Sequence, residues 1–332
     1  MNTLMLTTSD EDLARAAELL KGGGLVAFPT ETVYGLGANA LSERAVKSIF
    51  EAKGRPSDNP LIVHIACFEA VLPLVEAVPP AAKLLMDIFW PGPLTIILKK
   101  NPVVPDCVTA GLDTVALRMP KNEVALKLLK KCTIPIAAPS ANSSGKPSPT
   151  LASHVAHDLG GRIDAIVDGG KCSIGLESTV IDMSREVPAL LRPGGVTYEQ
   201  LTEVLGPVER CFECKNGETP RSPGIKYRHY APRAPLFVVR GNFIEYINEN
   251  APKYNKVGVI SQVAGEFPEN CVVLYLGDRP EEYASNLFAH LRSLDRADID
   301  VIFAQDMDDT GINLATRNRL YKAAGNNVVS SD

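Results

Sequence analysis

Four basic side chains are predicted to stand at the ends of strands or helices, where a bound ligand could reach them. Lys53 and Arg55 flank a glycine at the end of a predicted helix, and Arg118 and Arg192 each end an apolar strand. A single such cation would stabilise a helix dipole or lie solvated at an edge, but four are less easily explained in that way. Arginine also offers a planar fork that matches phosphate or carboxylate. The pattern therefore indicates an anionic ligand, and charge localised in this way would offset a triphosphate.

Hydroxyl and amide side chains follow two of the predicted buried strands. Residues 29–36 read PTETVYGL after the first buried strand, and residues 139–148 read PSANSSGKPS after a later one. Open α/β sheets bind ligands at the carboxyl ends of their strands, where hydroxyl groups, amides and glycine-rich backbone can hold phosphate or ribose oxygens. A helix N-cap followed by a turn would have the same composition. From the residues alone we predict a nucleotide or phosphate ligand, without a particular reaction.

Several familiar motifs can be excluded. Neither Gly145 nor Gly170, each followed by lysine, has a glycine five residues earlier, as a Walker A loop requires. Residues 35–40 (GLGANA) match the looser dinucleotide pattern G-x-G-x-x-A. That pattern requires a tight strand–turn–helix, whereas here Pro29 and further residues follow the strand and the helix signal begins only near Ser42, so NAD binding is not expected. Sequence order alone yields no Ser/His/Asp or Cys/His set.

The composition is that of an ordinary globular protein: 332 residues, 45% hydrophobic and 22% charged. The net charge of −5 excludes a global basic field directed at nucleic acid or an anionic membrane. Seven scattered cysteines are unlike a secreted disulfide framework, and no targeting signal or apolar run of about 18 residues is found. We therefore expect a cytoplasmic protein that does not enter the membrane.

The order of the predicted elements indicates two α/β units joined by a long irregular segment. Through residues 1–205 strand and helix patterns alternate, including a helical stretch around 68–76, which predicts a twisted mixed open sheet with flanking helices. The periodicity disappears over 206–234, where Pro, Gly, Lys and Arg are frequent. Strands and helices alternate again over 235–332, as in a smaller Rossmann-like α/β domain.

Long motifs in this sequence resemble those of the threonylcarbamoyl-AMP synthase family, which has a YrdC-like domain. The motifs are FPTETVYGL at 28–36, KGRPSDNPL at 53–61, APSANSSG at 138–145, ESTVID at 177–182 and LRPG at 191–194. The segment SPGIKYRHYAP at 222–232 and the domain after it resemble the longer, two-domain form of the family. The resemblance covers essentially the whole chain. It implies a YrdC-like catalytic domain at 1–205, a linker at 206–234 and a small second domain at 235–332.

The resemblance also implies a reaction. A nucleotidyltransferase of this family converts L-threonine, bicarbonate and ATP into threonylcarbamoyl-adenylate and pyrophosphate. A carbamate of threonine would attack the α-phosphate, a step that needs positioning and charge neutralisation more than a protein nucleophile. Mg²⁺ is expected to enter with ATP and bridge its phosphates, with no metal ligands from protein side chains.

The product of this reaction supplies threonylcarbamoyladenosine modification of tRNAs that read ANN codons. The implied partner is therefore the downstream tRNA threonylcarbamoyl transferase machinery. Direct binding of tRNA is expected to be weak at most, and no membrane partner is expected.

Matching positions to the family pattern assigns binding residues but no nucleophile or base. The threonine pocket is expected to contain Thr32, His64, Arg118, Ala138 and Ser178, with Arg118 as the partner of the amino-acid carboxylate. The expected ATP contacts are Lys53, Arg55, Asn59, Thr114, Ser140, Asn142, Ser148, Arg192 and Tyr230. Tyr230, together with His229, would make the linker a lid that shields the carbamate and adenylate from water.

Two other functions stay open at this point. A nucleic-acid-binding module would use a basic concave face, but a pI near 5.7 and a single tryptophan argue against it. A regulatory nucleotide-binding protein would bind ATP without threonine-dependent turnover. Pyrophosphate release that requires threonine would distinguish the enzyme from both of these alternatives.

Overall fold

The computed structural model describes residues 2–212, 220 and 230–331, and it divides into two units. The first unit is Met1–Ser144, Pro149–Ser173 and Glu177–Lys226. The second is Gly145–Ser148, Ile174–Leu176 and Tyr227–Asp332. Two short segments from within the first part of the chain thus belong to the second unit, which sequence reasoning did not foresee.

The described part of the first unit is built on one mixed sheet. Its strands are β1 Leu4–Leu6, β2 Val26–Phe28, β3 Gly35–Asn39, β4 Ile62–His64, β5 Leu94–Lys99, β6 Thr114–Arg118, β7 Ile136–Ala137, β8 Ala165–Val167, β9 Thr179–Asp182, β10 Ala189–Arg192 and β11 Glu209–Arg210. They follow one another across the sheet in the order β1-β8-β2-β3-β7-β4-β6-β5-β9-β10-β11. Parallel and antiparallel neighbours alternate irregularly, so the predicted twisted mixed sheet is confirmed.

Helices cover both faces of this sheet. They are α1 Asp10–Lys21, α2 Glu43–Lys53, α3 Pro80–Phe89, α4 Asp106–Thr109, α5 Glu123–Cys132, α6 Ala152–Leu159 and α7 Tyr198–Leu205. The apolar stripes of α1 and α5 pack together with Val26, Phe28 and Ile136 on one face. The other helices contribute to a larger cluster that contains Ala27, Val63 and Leu117 from the opposite face. Alternate residues of each strand therefore enter different cores, as the two-residue period requires.

A third apolar cluster consists of strand residues. It comprises Ile62, Ile97, Ala116, Val180, Ala189 and Leu191, from β4, β5, β6, β9 and β10. Since Ala116 lies midway between Thr114 and Arg118 on β6, these three side chains share one face of the sheet. Ile62 and His64 share a face of β4 in the same way. This face carries several of the predicted ligand contacts.

Two local predictions need correction, and one strand was not predicted. Residues 68–76 form two short 3₁₀ turns, Phe68–Ala70 and Leu72–Leu74, because Pro73 has no backbone N–H with which to continue an α-helix. Residues 35–39 form a strand that the sequence patterns did not indicate. Residues 209–210 pair with β10, so the first unit extends beyond residue 205, where we expected it to end.

The second unit contains a five-stranded sheet in which every pairing is parallel. Its strands β12 Leu236–Arg240, β13 Val257–Ser261, β14 Cys271–Tyr275, β15 Val301–Gln305 and β16 Val328–Ser330 lie in the order β14-β13-β15-β12-β16. The helices are α8 Phe243–Asn250, α9 Pro280–Leu294 and α10 Asn313–Ala324, with a 3₁₀ turn at Ala251–Lys253. This arrangement confirms the predicted small Rossmann-like α/β domain.

Within the second unit, α9 and the residues just before β12 contact the two short segments from earlier in the chain. Arg292 of α9 donates from Nη2 to the carbonyl of Pro147 at 2.5 Å, and the backbone N–H of Ala231 donates to the carbonyl of Gly145 at 3.0 Å. Gly175, at φ +76°, leaves no room for a Cβ because the backbone of Ser285 would lie 2.5 Å away. These contacts explain why the segments belong to this unit.

In neither unit do the described helices include one that is both long enough and apolar enough to span a bilayer.

Candidate active site

The loop after β2 is held in a fixed conformation by its own threonines. Thr30 Oγ1 donates to the carbonyl of Val33 at 2.7 Å, contacts Thr32 Oγ1 at 2.8 Å, and accepts the backbone N–H groups of Thr32 and Val33. Tyr34 is buried at the end of this loop, and its hydroxyl donates to the carbonyl of Gly170 at 2.8 Å. Burial raises the pKa of Tyr34 far above its usual range, so the phenol stays protonated. The loop thus presents residues 31 and 32 in one defined orientation.

Arg118 ends β6 and reaches this loop with its guanidinium. Nη1 donates to Thr32 Oγ1 at 2.8 Å, Nη2 donates to Glu31 Oε1 at 2.6 Å, and Nε donates to the carbonyl of Gly92 at 3.2 Å. Arg118 is only 3% exposed. Two predicted threonine contacts, Thr32 and Arg118, are therefore in direct contact with each other.

His64 lies beside Arg118 in the sheet, since the two residues pair across β4 and β6. Its ring packs edge-on against Phe28 at 6.2 Å, and Nδ1 lies 3.2 Å from the carbonyl of Ile62. Burial, reinforced by the charge of Arg118, lowers the pKa of His64 to about 3. At neutral pH the imidazole is therefore uncharged, and it can offer a hydrogen bond without adding charge to the pocket.

Ser178, which directly precedes β9, and Arg192, the last residue of β10, form a second contact pair. Ser178 Oγ shares a hydrogen bond of 2.8 Å with Thr95 Oγ1 of β5. Arg192 donates from Nη2 to the same Ser178 Oγ at 3.1 Å and from Nε to the Ser178 carbonyl at 3.0 Å. Thr95 precedes Ile96, which pairs with Leu117 of β6, so Thr95 lies opposite Arg118 in the sheet. His64, Arg118, Thr95 and Ser178 consequently form a row across four neighbouring strands.

Ala138 lies next to this row. Its backbone N–H donates to the carbonyl of Ile62 at 2.9 Å, and its methyl group is buried. Because its side chain is only a methyl group, like that of Ala116 on β6, it leaves space above the sheet beside the polar row. The five residues predicted for the threonine pocket thus lie on neighbouring strands or on the loop that touches them.

Lys53 connects α2 to the segment after β7. Its ammonium donates to the backbone carbonyls of Ser140 and Asn142, the latter at 2.6 Å, and the side chain is 3% exposed. Ser140 Oγ donates to Asn142 Oδ1 at 2.5 Å. Gly54 ends α2 in the left-handed conformation at φ +61°, which turns the chain directly after the lysine. Three of the predicted ATP contacts are thus assembled at the carboxyl end of β7.

Asn59 has an amide group that lacks partners. The residue is 1% exposed, and among the described residues neither Oδ1 nor Nδ2 has a hydrogen-bond partner. Leaving such a group unpaired costs about 1–3 kcal/mol, a cost that an incoming polar ligand would remove. Arg55 Nη2 donates to the Asn59 carbonyl at 3.2 Å. Thr114 is the first residue of β6, and it lies beside the start of β4, which Asn59 precedes. Along β6, Thr114 is about 13 Å from Arg118.

The remaining two predicted ATP contacts, Ser148 and Tyr230, belong to the second unit. Ser148 is buried, and Tyr230 is 6% exposed with its ring 4.9 Å from that of Phe288. Tyr230 has φ +64°, an uncommon conformation for a residue other than glycine. The predicted linker motif up to His229 lies outside the described residues, so its role as a lid stays a prediction.

Sequence reasoning missed Thr95 and Glu31. Thr95 lies inside an apolar strand and gave no signal. Glu31 stands within the quoted PTETVYGL motif, but a glutamate between two threonines looks like a solvated loop residue. Its burial at 7% exposure, against an arginine 87 residues later, emerges only from the fold.

Comparison with known proteins decides the family. Residues 18–194 match the family model Sua5_yciO_yrdC, described as telomere recombination, and residues 196–325 match the threonylcarbamoyl-AMP synthase C-terminal domain. The chain is 52% identical to threonylcarbamoyl-AMP synthase of Pyrococcus abyssi, over 95% of this chain and 94% of that protein. The chain belongs to the threonylcarbamoyl-AMP synthase family.

Other members agree with this assignment. The threonylcarbamoyl-AMP synthase of Bacillus subtilis is 51% identical over 98% of this chain and 96% of its own length. The crystal structure of P. abyssi Sua5 complexed with L-threonine superposes with a TM-score of 0.94 at 49% identity, covering 100% of both chains. The likeness therefore extends over both domains of the family's longer form, and the two-domain resemblance noted in the sequence is confirmed.

Proposed function

We propose that this chain is a threonylcarbamoyl-AMP synthase that converts L-threonine, bicarbonate and ATP into threonylcarbamoyl-AMP, pyrophosphate and water. The observation that carries the proposal is the full-length likeness to a Sua5 whose crystal structure is described as a complex with L-threonine. The contact between Arg118 and Thr32 supports it, because a buried guanidinium with a neighbouring hydroxyl suits an amino-acid carboxylate.

In this proposal threonine binds along the row on the sheet face. Arg118 neutralises its carboxylate, while Thr32 and Ser178 offer hydroxyls and His64 an uncharged ring. Ala138 leaves space for the ligand. Because the imidazole is neutral, His64 adds no further positive charge beside Arg118.

ATP would bind at the end of the same sheet where Lys53, Arg55 and Asn59 lie. The partnerless amide of Asn59 supports this, since a base or ribose would satisfy both of its polar atoms. Ser140 and Asn142 would contribute hydroxyl and amide groups there, and Thr114 a hydroxyl. Arg192 would contribute a guanidinium from the other end of the strands, beside Ser178. For Ser148 and Tyr230, in the second unit, the proposal rests on the family resemblance alone.

The chemistry requires the threonine amine and bicarbonate to form a carbamate, whose oxygen then displaces pyrophosphate from the α-phosphate. Positioned cations and hydrogen-bond donors lower the barrier of such an in-line displacement without a protein nucleophile. Within the described residues, no three His, Cys, Asp or Glu side chains are grouped so as to hold a metal ion. We therefore propose that Mg²⁺ enters bound to the phosphates of ATP, where it would neutralise their charge.

The proposed partner of the product is the transferase machinery that installs threonylcarbamoyladenosine in tRNA, since a mixed carbamic–phosphoric anhydride is short-lived in water. We propose a cytoplasmic location. The described cysteines Cys67, Cys107, Cys132, Cys172, Cys211 and Cys271 are all free thiols, which supports a reducing compartment. Direct tRNA binding should be weak and should fall steeply with salt.

Pyrophosphate release by the purified protein tests the proposal. Release from ATP should require L-threonine and bicarbonate together, and omission of either should reduce it to background. Binding of ATP without threonine-dependent release would instead support a regulatory nucleotide-binding protein. Tight tRNA binding at physiological salt, without turnover, would support the nucleic-acid-binding module.

A further inference from the structure

The guanidinium of Arg118 has donors left over after its protein contacts are made. A guanidinium carries five N–H groups. Glu31, Thr32 and Gly92 each accept one of them, on Nη2, Nη1 and Nε respectively. Among the described residues, one N–H on each terminal nitrogen has no acceptor. These two donors are available to a carboxylate that enters the pocket.

Glu31 has a matching excess of acceptor capacity. Oε1 accepts from Arg118 at 2.6 Å, but the buried Oε2 has no hydrogen-bond partner in the described part of the chain. An ionised carboxylate accepts at both oxygens, and an unsatisfied one inside a protein is costly. The residue is only 7% exposed, so bulk water does not readily compensate.

The loop fixes where this free oxygen lies. Thr30 ties the backbone of residues 32 and 33 to its own hydroxyl, and the carbonyl of Glu31 accepts from Ser173 Oγ at 3.4 Å. Glu31 and Thr32 are neighbours in sequence and hold different terminal nitrogens of one guanidinium. The free oxygen of Glu31 and the free donors of Arg118 therefore belong to one rigid group.

Threonine is a zwitterion whose ammonium nitrogen and carboxylate carbon are attached to the same α-carbon. We propose that Glu31 is a threonine-binding residue whose Oε2 accepts an N–H from the α-ammonium while the free donors of Arg118 hold the carboxylate. The inference rests on the proposed function and adds the group that recognises the amine. After carbamate formation the nitrogen keeps one N–H, which the same oxygen can still accept.

A purely structural role for the ion pair explains less. Burying two charges against each other rarely adds stability over apolar side chains of similar size, because desolvation offsets their attraction. The free oxygen is accounted for when a cationic ligand completes the pair.

The test measures binding to the full-length protein by calorimetry, using L-threonine and (R)-3-hydroxybutanoate, which keeps the carboxylate and β-hydroxyl but lacks the amine. The unaltered protein should bind threonine about 10- to 100-fold more tightly than the analogue, as expected for a hydrogen bond between charged groups. In Glu31→Gln this preference should fall towards equality, with the analogue no more weakly bound than before. Glutamine retains an oxygen for Arg118, so the guanidinium keeps its position.

A matched control is Asp164→Asn. Asp164 is a partly buried carboxylate that accepts the backbone N–H of Leu25 at 2.7 Å, at the start of β2 and β8 and thus at the opposite end of β2 from Glu31. This variant should keep the full preference for threonine.

Three results would overturn the inference. Equal affinity of the unaltered protein for threonine and the analogue would exclude recognition of the ammonium, and this result does not depend on any variant folding. Equal weakening of both ligands in Glu31→Gln would show that Glu31 only positions Arg118. Absence of any threonine binding to the unaltered protein would instead contradict the proposed function, on which the inference rests.

Discussion

Arg118 is the residue on which threonine recognition depends most, because it contacts Glu31, Thr32 and Gly92 and still has donors for a ligand. We predict that Arg118→Lys raises the KM for threonine about 10- to 100-fold, since a point charge cannot replace a planar fork. The KM for ATP should change by less than about 3-fold, because most of the predicted nucleotide contacts, such as Asn59 and Thr114, lie at the opposite end of β4 and β6. Steady-state pyrophosphate release at varied threonine and ATP measures both.

The exposed Arg162 offers a control for the same substitution. Arg162→Lys should leave both constants unchanged. If Arg118→Lys kept a normal KM for threonine, the result would contradict the proposal that the Arg118 guanidinium binds threonine.

His64 predicts a specific dependence of stability on pH. Its pKa of about 3 in the folded protein lies below the usual value of 6.5, so the unfolded chain binds a proton in this interval and the folded chain does not. Stability from this residue is therefore complete above about pH 6.5 and is lost as the pH falls towards 3, with a slope of at most about 1.4 kcal/mol per pH unit.

His64→Gln should remove that part of the slope. Urea unfolding at several pH values between 4 and 7 measures it for both proteins, and other titrating groups cancel in the difference. Parallel stability curves for the two proteins would show that His64 is not held neutral.

At this scale the sequence identified the residues but not their contacts. Thr32 and Ser178 could be named because they occur in long family motifs, and Arg118 because it ends a predicted apolar strand and matches the family pattern. Glu31 could not be assigned a role, since whether a loop carboxylate is solvated or buried depends on a partner far along the chain.

Among the elements, β3 is the one that sequence patterns concealed. Gly35 and Gly37 lower the β-propensity of the segment and imitate a dinucleotide loop. In the folded protein Gly37 is needed for packing, because a Cβ there would lie 2.8 Å from Phe28 Cε1 and 2.9 Å from Ile136 Cγ2. The glycines allow close packing within the sheet, which a single sequence does not distinguish from a turn.

We therefore predict that Gly37→Ala destabilises the protein by about 1–3 kcal/mol through overpacking. Gly35→Ala is the matched control, because its Cβ would lie 3.3 Å from Ala138 Cβ and should cost less than about 1 kcal/mol. Denaturant unfolding measures both. Equal stability of Gly37→Ala and the unaltered protein would mean that the sheet is less tightly packed there than described.

The longer strands and helices were predicted more reliably than the short ones. The apolar strand expected to end at Arg118 is found as β6, because the three consecutive apolar residues 115–117 give a clear strand signal. β1, β11 and β16 contain two or three residues each and were missed, because such short runs depend on pairing with distant strands. The sheet order likewise reflects long-range pairing that periodicity does not encode.

At the scale of the whole molecule, the two α/β units were visible in the sequence as two stretches of alternating elements. What could not be seen is that Gly145–Ser148 and Ile174–Leu176 belong to the second unit. Both segments lack periodicity, so only tertiary contacts such as that between Arg292 and Pro147 assign them. Ser148, a predicted ATP contact, therefore belongs to the second unit and not to the first, where its position in the sequence would place it.

Deletion of residues 221–332 tests what the linker and the second unit contribute. If the linker shields the carbamate and adenylate from water, the shortened protein should form less threonylcarbamoyl-AMP per ATP consumed while retaining some ATP binding. Product yield and ATP affinity are measured separately, with circular dichroism to verify folding. A folded, shortened protein with unchanged turnover and yield would contradict the lid.

The most direct test of the central claim follows the carbon of bicarbonate. The full-length protein is incubated with ATP, Mg²⁺, L-threonine and ¹³C-labelled bicarbonate, and the products are identified by mass spectrometry. We predict an adenylate that contains threonine and carries the label in its carbamoyl group, formed together with pyrophosphate. An unlabelled adenylate, or pyrophosphate release that does not need threonine, would contradict the assignment as a threonylcarbamoyl-AMP synthase.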